Sequence, residues 1–100
     1  MQLDEGMDTG AVHAMRATPI EATDTCGTLT VKLAELGAKL LVDQLDAILQ
    51  SKSIPEPQDD DRATHAPLLT KEDGRLDFAR PASLIERQLR AFHPLSLIHI

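Results

Sequence analysis

The chain is 100 residues long, 42% apolar and 26% charged, with ten basic residues against sixteen acidic ones and a formal net charge of −6. That length bounds it to one small domain or a slice of something larger, and the apolar content is too high for a disordered tail. The acidic balance argues against a free-standing nucleic-acid binder, and a single cysteine, Cys26, rules out an internal disulfide or a cysteine-based metal cluster.

Met1–Gly10 reads as the end of a strand running into a tight acidic loop. Asp4, Glu5 and Asp8 crowd three carboxylates into five positions, and Gly6 and Gly10 tolerate positive φ. Ala11–Ile20 is expected to be a strand, carried by Val12, Ala14 and Met15, that Pro19 either ends or holds at a sheet edge. From Thr23 to Gln50, Leu29, Leu33, Leu36, Leu40, Leu41, Leu45, Ile48 and Leu49 recur at spacings of three and four, an apolar helical stripe. Asp24 or Thr25 is the expected N-cap. Gly37 falls within the stripe and predicts a bend or break between two helices of similar length.

Ser51–Arg62, SKSIPEPQDDDR, reads as a linker, since two prolines and the DDD run oppose a packed element. Ala63–Phe78 is expected to be mostly extended, with Thr70 capping a single turn over Lys71–Asp73 that Gly74 ends. The alternation of Leu76 and Phe78 predicts a short strand. Pro81–Phe92 is a second amphipathic helix with Leu84, Ile85, Leu89 and Phe92 on its apolar face. It begins either with Pro81 at its first position or slightly later, on a Ser83–Glu86 capping box.

The chemistry-bearing residues are few. A carboxylate on a glycine-flanked turn at a strand end suits acid–base or water-positioning work. A solvated acidic turn is the simpler account of the same residues. The loop lacks the alternate acidic ligands of a calcium-binding EF-hand. His13, His65, His93 and His99 show no paired ligand spacing, and Cys26 has no companion, so no metal is expected. Arg87 and Arg90 lie three apart on one helix face, where they can meet a phosphate or only solubilise the surface. No run approaches the roughly 18–20 apolar residues of a membrane helix, and the acidic N-terminus resembles neither a secretory signal nor a transit peptide. The cytoplasm is the expected location.

Four collinear segments add a family likeness: QLDEGMDTG at 2–10, DTCGTLTVKLAELGAKLL at 24–41, ATHAPLLTKEDGRLDF at 63–78 and LIERQLRAFHP at 84–94. Together they resemble the middle of the methionyl-tRNA formyltransferase family. The acidic loop is shared with glycinamide-ribonucleotide, sugar-nucleotide and formyltetrahydrofolate-hydrolysing relatives. The segments at 63–78 and 84–94 resemble the tRNA enzymes more. The resemblance implies formyl transfer from 10-formyltetrahydrofolate to the amino group of methionyl-initiator tRNA, with that tRNA as partner and a monomeric protein. It implies an α/β fold: residues 1–50 as the C-terminal edge of a Rossmann-like formyltransferase domain (loop, strand, helices), 51–62 as linker, and 63–94 as the start of a β-barrel, OB-like domain with one helix. Asp8 matches the family's catalytic aspartate. Asp4, Glu5, Gly6 and Asp8 would line the folate pocket, and Arg87 and Arg90 would belong to the tRNA-binding surface.

The departures are specific. The family's catalytic Asn and His lie upstream of the position that matches Met1, so Met1 is expected not to be the true start and this stretch alone is expected to be inactive. After RAFHP the family continues with Trp-Pro, whereas this chain has LSLIHI at 95–100. That hexapeptide is the translation of CTG TCT CTT ATA CAC ATC, a transposon end used as a sequencing-library adapter, and it is read as adapter-derived. Two other readings stay open on residues alone. One is a piece of a sugar-nucleotide formyltransferase. The other is a non-catalytic helical interaction module.

Overall fold

A computed structural model describes residues 1–94 of the chain; the stretch read as adapter-derived lies outside the described residues. Helix α1 runs over Cys26–Leu49 and helix α2 over Ala82–Phe92, with short 3-10 turns at Asp60–Arg62 and Glu72–Gly74. No strand forms among the described residues. Val12 and Glu56 make an isolated antiparallel bridge, each N–H donating to the other's carbonyl at 2.8 Å. The strand expected over 11–20 thus reduces to a single bridged residue, Val12, followed by a bend at His13, because alternation becomes a strand only where a ladder partner runs alongside. The strand expected at 76–78 also fails to form. Asp77 bends the chain there, its Oδ1 accepting from Ala79 N at 3.0 Å and its carbonyl from Arg80 N at 3.1 Å.

The start of α1 follows from its first residues. Thr25 Oγ1 accepts from Thr28 N (3.2 Å) and Thr28 Oγ1 accepts from Thr25 N (2.9 Å), a reciprocal capping box that satisfies two orphan donors. Of the two expected caps, Thr25 therefore takes the helix backbone. Gly27 N donates to the carbonyl of His93 at 3.0 Å, and a Cβ on Gly27 would sit 3.0 Å from Pro94 Cδ.

The break expected at Gly37 does not occur: α1 is continuous for 24 residues. A Cβ on Gly37 would meet nothing within 4 Å. One glycine costs a helix about 1 kcal/mol, too little to interrupt a ladder sustained on both sides. The helix ends on a Schellman motif. Ser51 N donates to Ile48 O (3.1 Å), Lys52 N to Ala47 O (2.8 Å), and Ser51 takes the left-handed conformation at φ 55°.

Helix α2 begins at Ala82 with Pro81 as its N-cap, one position later than the reading that put Pro81 inside. The proline carbonyl accepts from Leu84 N and Ile85 N at 3.0 and 3.2 Å. The alternative Ser83–Glu86 box is absent, because Glu86 turns to Arg90 four residues on. A turn forms after Thr70, but over Glu72–Gly74, one position later than expected, with Gly74 inside it and Arg75 closing it; the capping group is also reversed. Asp73 Oδ2 reaches back to Thr70 N at 2.7 Å and Thr70 Oγ1 at 2.9 Å, and these bonds hold the Asp73 carboxyl below its usual range.

The chain divides into two compact units. One comprises Met1–Thr18 and Ala34–His65, the other Pro19–Leu33 with the described residues from Ala66 on. Among the described residues no hydrophobic side chain is buried. Leu29, Leu36, Leu40 and Ile48 are half-buried, whereas Leu33, Leu41, Leu45 and Leu49 of the same expected core stripe are exposed.

Candidate functional site

In the first unit the acidic loop is tied at several points. Gln2 N donates to Ala11 O at 2.8 Å and closes it. Asp4 Oδ1 accepts from Gly6 N (3.0 Å) and Thr9 Oγ1 (2.6 Å), so Asp4 serves the loop's own shape. Gly10 is buried, and a Cβ there would fall 1.6 Å from the Gln2 carbonyl oxygen; no side chain fits. Asp8 sits between these ties at φ 56°, in the left-handed region. Its carboxylate is exposed and accepts no hydrogen bond among the described residues.

Gln58 braces the same loop from the stretch read as a linker. Its Nε2 donates to Asp8 O at 3.0 Å and to Gly10 O at 2.7 Å, and lies 3.6 Å from Met1 Sδ. The bridge at Glu56 and the fixed φ of Pro57 carry Gln58 there. Sequence reasoning passes over Gln58, because a glutamine in a polar, proline-containing run carries no local signal for a contact about fifty positions away.

An open groove of about 600 Å³ lies in the same unit. Its polar lining comes from His13, Glu56, Gln58, Asp59 and Arg62, with Met15 and Ile54 among its apolar wall. None of Asp4, Glu5, Gly6 and Asp8 lines it. His13 Nδ1 lies 2.9 Å from Ser53 Oγ, in keeping with a structural role for this histidine. Among the described residues no group of three His, Cys, Asp or Glu could hold a metal ion.

In the second unit the two arginines differ. Arg90 grips Glu86 with two guanidinium nitrogens and donates Nη1 to the Asp24 carbonyl at 3.0 Å. The pairing lowers the Glu86 carboxyl and raises the Arg90 guanidinium. Arg87 is exposed and makes no ion pair within 4.0 Å among the described residues. Asp24 is a buried polar residue of this unit. It accepts from Lys32 Nζ (2.8 Å), Glu21 N (2.9 Å) and Thr28 Oγ1 (2.9 Å), and the Lys32 ammonium foremost holds its carboxyl down at about 2.

No protein-family model matches the chain. It is similar to the methionyl-tRNA formyltransferase of Halorhodospira halophila, 48% identical over 95 residues, which are 95% of this chain and 31% of that protein. The methionyl-tRNA formyltransferase of Synechococcus sp. strain JA-3-3Ab is 49% identical over 94 residues, 94% of this chain and 29% of the relative. That of Gluconobacter oxydans is 48% identical over 94 residues, 94% of this chain and 30% of the relative. The chain thus spans about 30% of the length of the curated relatives it matches. Among the described residues no helix is long and apolar enough to cross a membrane.

Proposed function

Because this chain belongs to the methionyl-tRNA formyltransferase family, we propose that it is a working part of an enzyme that moves a formyl group from 10-formyltetrahydrofolate to the amino group of methionyl-initiator tRNA in the cytoplasm. The observation that carries the reading is an identity of 48% sustained over 95 residues. The relatives' names favour a tRNA acceptor over a sugar nucleotide, and a catalytic protein over a helical interaction module.

On this reading Asp8 is the catalytic carboxylate. The amine nitrogen attacks the formyl carbon and the bond from that carbon to N10 of the folate breaks. One proton leaves the amine nitrogen and one reaches N10. Asp8 would orient a histidine and a water that relay the proton, while that histidine and an asparagine, from the part of the enzyme this chain does not span, hold the developing oxyanion. The loop is suited to this task because Asp4, Gly10 and Gln58 spend their groups on its shape and leave the Asp8 carboxylate outward. Glu5 and Gly6, exposed beside Asp8, would line the folate pocket with Asp4. Arg87 and Arg90 would face tRNA phosphate, with Arg87 the one whose guanidinium is clear of Glu86 and Asp24. Residues 1–50 would close a Rossmann-like α/β domain, 51–62 link it onward, and 63–94 begin an OB-like barrel, the whole acting as a monomer.

The test is a chimera in which residues 1–94 replace the matching segment of the Halorhodospira halophila relative. We expect formyl transfer to methionyl-tRNA, and a loss of roughly 10²–10⁴-fold in kcat on Asp8→Asn, the span of a removed proton-relay group. A chimera whose Asp8→Asn form works at the parent rate refutes the role of Asp8.

A further inference from the structure

Asp8 takes the left-handed conformation at φ 56°, which aspartate tolerates better than most residues but which still costs energy relative to the extended and right-handed regions. Contacts that fix the neighbouring carbonyls hold it there. Asp4 and the Gln2–Ala11 bond define the loop's outline, yet neither bonds the carbonyls of Asp8 and Gly10. Those carbonyls are the ones that Gln58 holds. A primary amide nitrogen has two N–H bonds, and Gln58 Nε2 reaches the carbonyl of Asp8 at 3.0 Å and that of Gly10 at 2.7 Å. Fixing both carbonyls sets the planes of the peptides that leave Asp8 and Gly10. The plane leaving Asp8 fixes the direction of its Cα–Cβ bond, the base from which the χ1 and χ2 rotamers place the carboxylate.

The position of Gln58 is itself determined. Val12 and Glu56 exchange two backbone hydrogen bonds of 2.8 Å two residues earlier, Pro57 restricts the backbone between, and Asp59 opens the 3-10 turn by accepting from Asp61 N at 3.1 Å. The stretch read as a linker is thus anchored against the acidic loop on both sides of one glutamine.

We infer that Gln58 is a positioning residue for formyl transfer, aiming the Asp8 carboxylate by clamping the Asp8 and Gly10 carbonyls. The inference rests on the reading of Asp8 as catalytic. Because Gln58 acts through Asp8, its removal is expected to misdirect that carboxylate and to leave methionyl-tRNA binding unaltered.

The chimera with the Halorhodospira halophila relative again provides the complete enzyme. Gln58→Glu keeps the side chain's size and removes both N–H donors. Gln58→Ala is the second variant, should the carboxylate prevent folding. Either is expected to lower kcat roughly 10–100-fold, the cost of an ångström-scale misplacement, with KM for methionyl-tRNA held within about twofold. On the Asp8→Asn background the same change should lower kcat by less than about twofold, since a residue acting through Asp8 has nothing left to aim. Parent kcat in the Gln58 variants, or an equal loss in both backgrounds, overturns the inference while leaving Asp8 in its role. Full activity of Asp8→Asn alone refutes the catalytic reading instead.

Discussion

Asp24 is only 6% exposed, yet its carboxylate has a donor at every turn: an ammonium, a hydroxyl and a backbone N–H. Each bond favours the charged form, so the group titrates at about 2 rather than 3.8. A carboxyl whose folded value is depressed contributes stability that is complete above its unfolded value. That contribution is lost as the pH falls from about 3.8 towards 2. In the chimera, carbon-detected NMR titration of Asp24 should show a midpoint near 2, and Lys32→Met should bring it up towards the ordinary carboxylate range. A midpoint near 3.8 in the parent would show that the Lys32 contact is not made in solution. Asp24 was legible as a residue of the helix start, but its role differs from the expected one. The sequence shows a capping type at the right place; that Thr25 takes the backbone and Asp24 the lysine depends on which oxygen reaches which donor.

At the level of elements, α1 carries two local departures from the best choice of residue. Gly37 lies in open space within the helix, and Ser51 occupies the left-handed position of the Schellman motif that glycine fills at least strain. Ser51→Gly should therefore stabilise the chimera by about 1 kcal/mol, because the side-chain clash of the left-handed conformation disappears. Denaturant unfolding measures it, and a loss of stability would mean that Ser51 Oγ or Cβ makes a contact that offsets the strain. The helices and the turn after Thr70 are legible because their signals are local: apolar spacing, caps, a proline at the start. The end of α1 in a Schellman motif is not, since serine rarely marks a left-handed position. The absent break at Gly37 follows from weighing a cost of about 1 kcal/mol against the whole ladder.

On the scale of the molecule, apolar side chains outnumber the places to put them. Leu3, Met7, Met15, Ile54 and Leu68 are each more than four-fifths exposed, and no hydrophobic side chain among the described residues is buried. Ordering a residue costs about 1–2 kcal/mol in backbone entropy, and burial of apolar surface is the main term that offsets it. The isolated 100-residue chain should therefore melt without a cooperative transition and bind a hydrophobic dye at room temperature. Circular dichroism and dye fluorescence check this. A sharp two-state melt with no dye binding would mean that the chain buries its own apolar face, as an independent interaction module must.

Four collinear segments carry the family, and both helices and the acidic loop follow from patterns that span a few turns at most. Asp4, Glu5 and Asp8 are visible as carboxylates in any reading of positions 4–8. Which of them is used up and which is offered depends on the folded chain. Asp4 is consumed by Gly6 and Thr9, and Asp8 is left outward at a positive φ under the amide of Gln58. The reason is physical. Helical periodicity and capping are written within neighbouring residues, whereas a hydrogen bond between positions 8 and 58 exists only after the chain has brought them together.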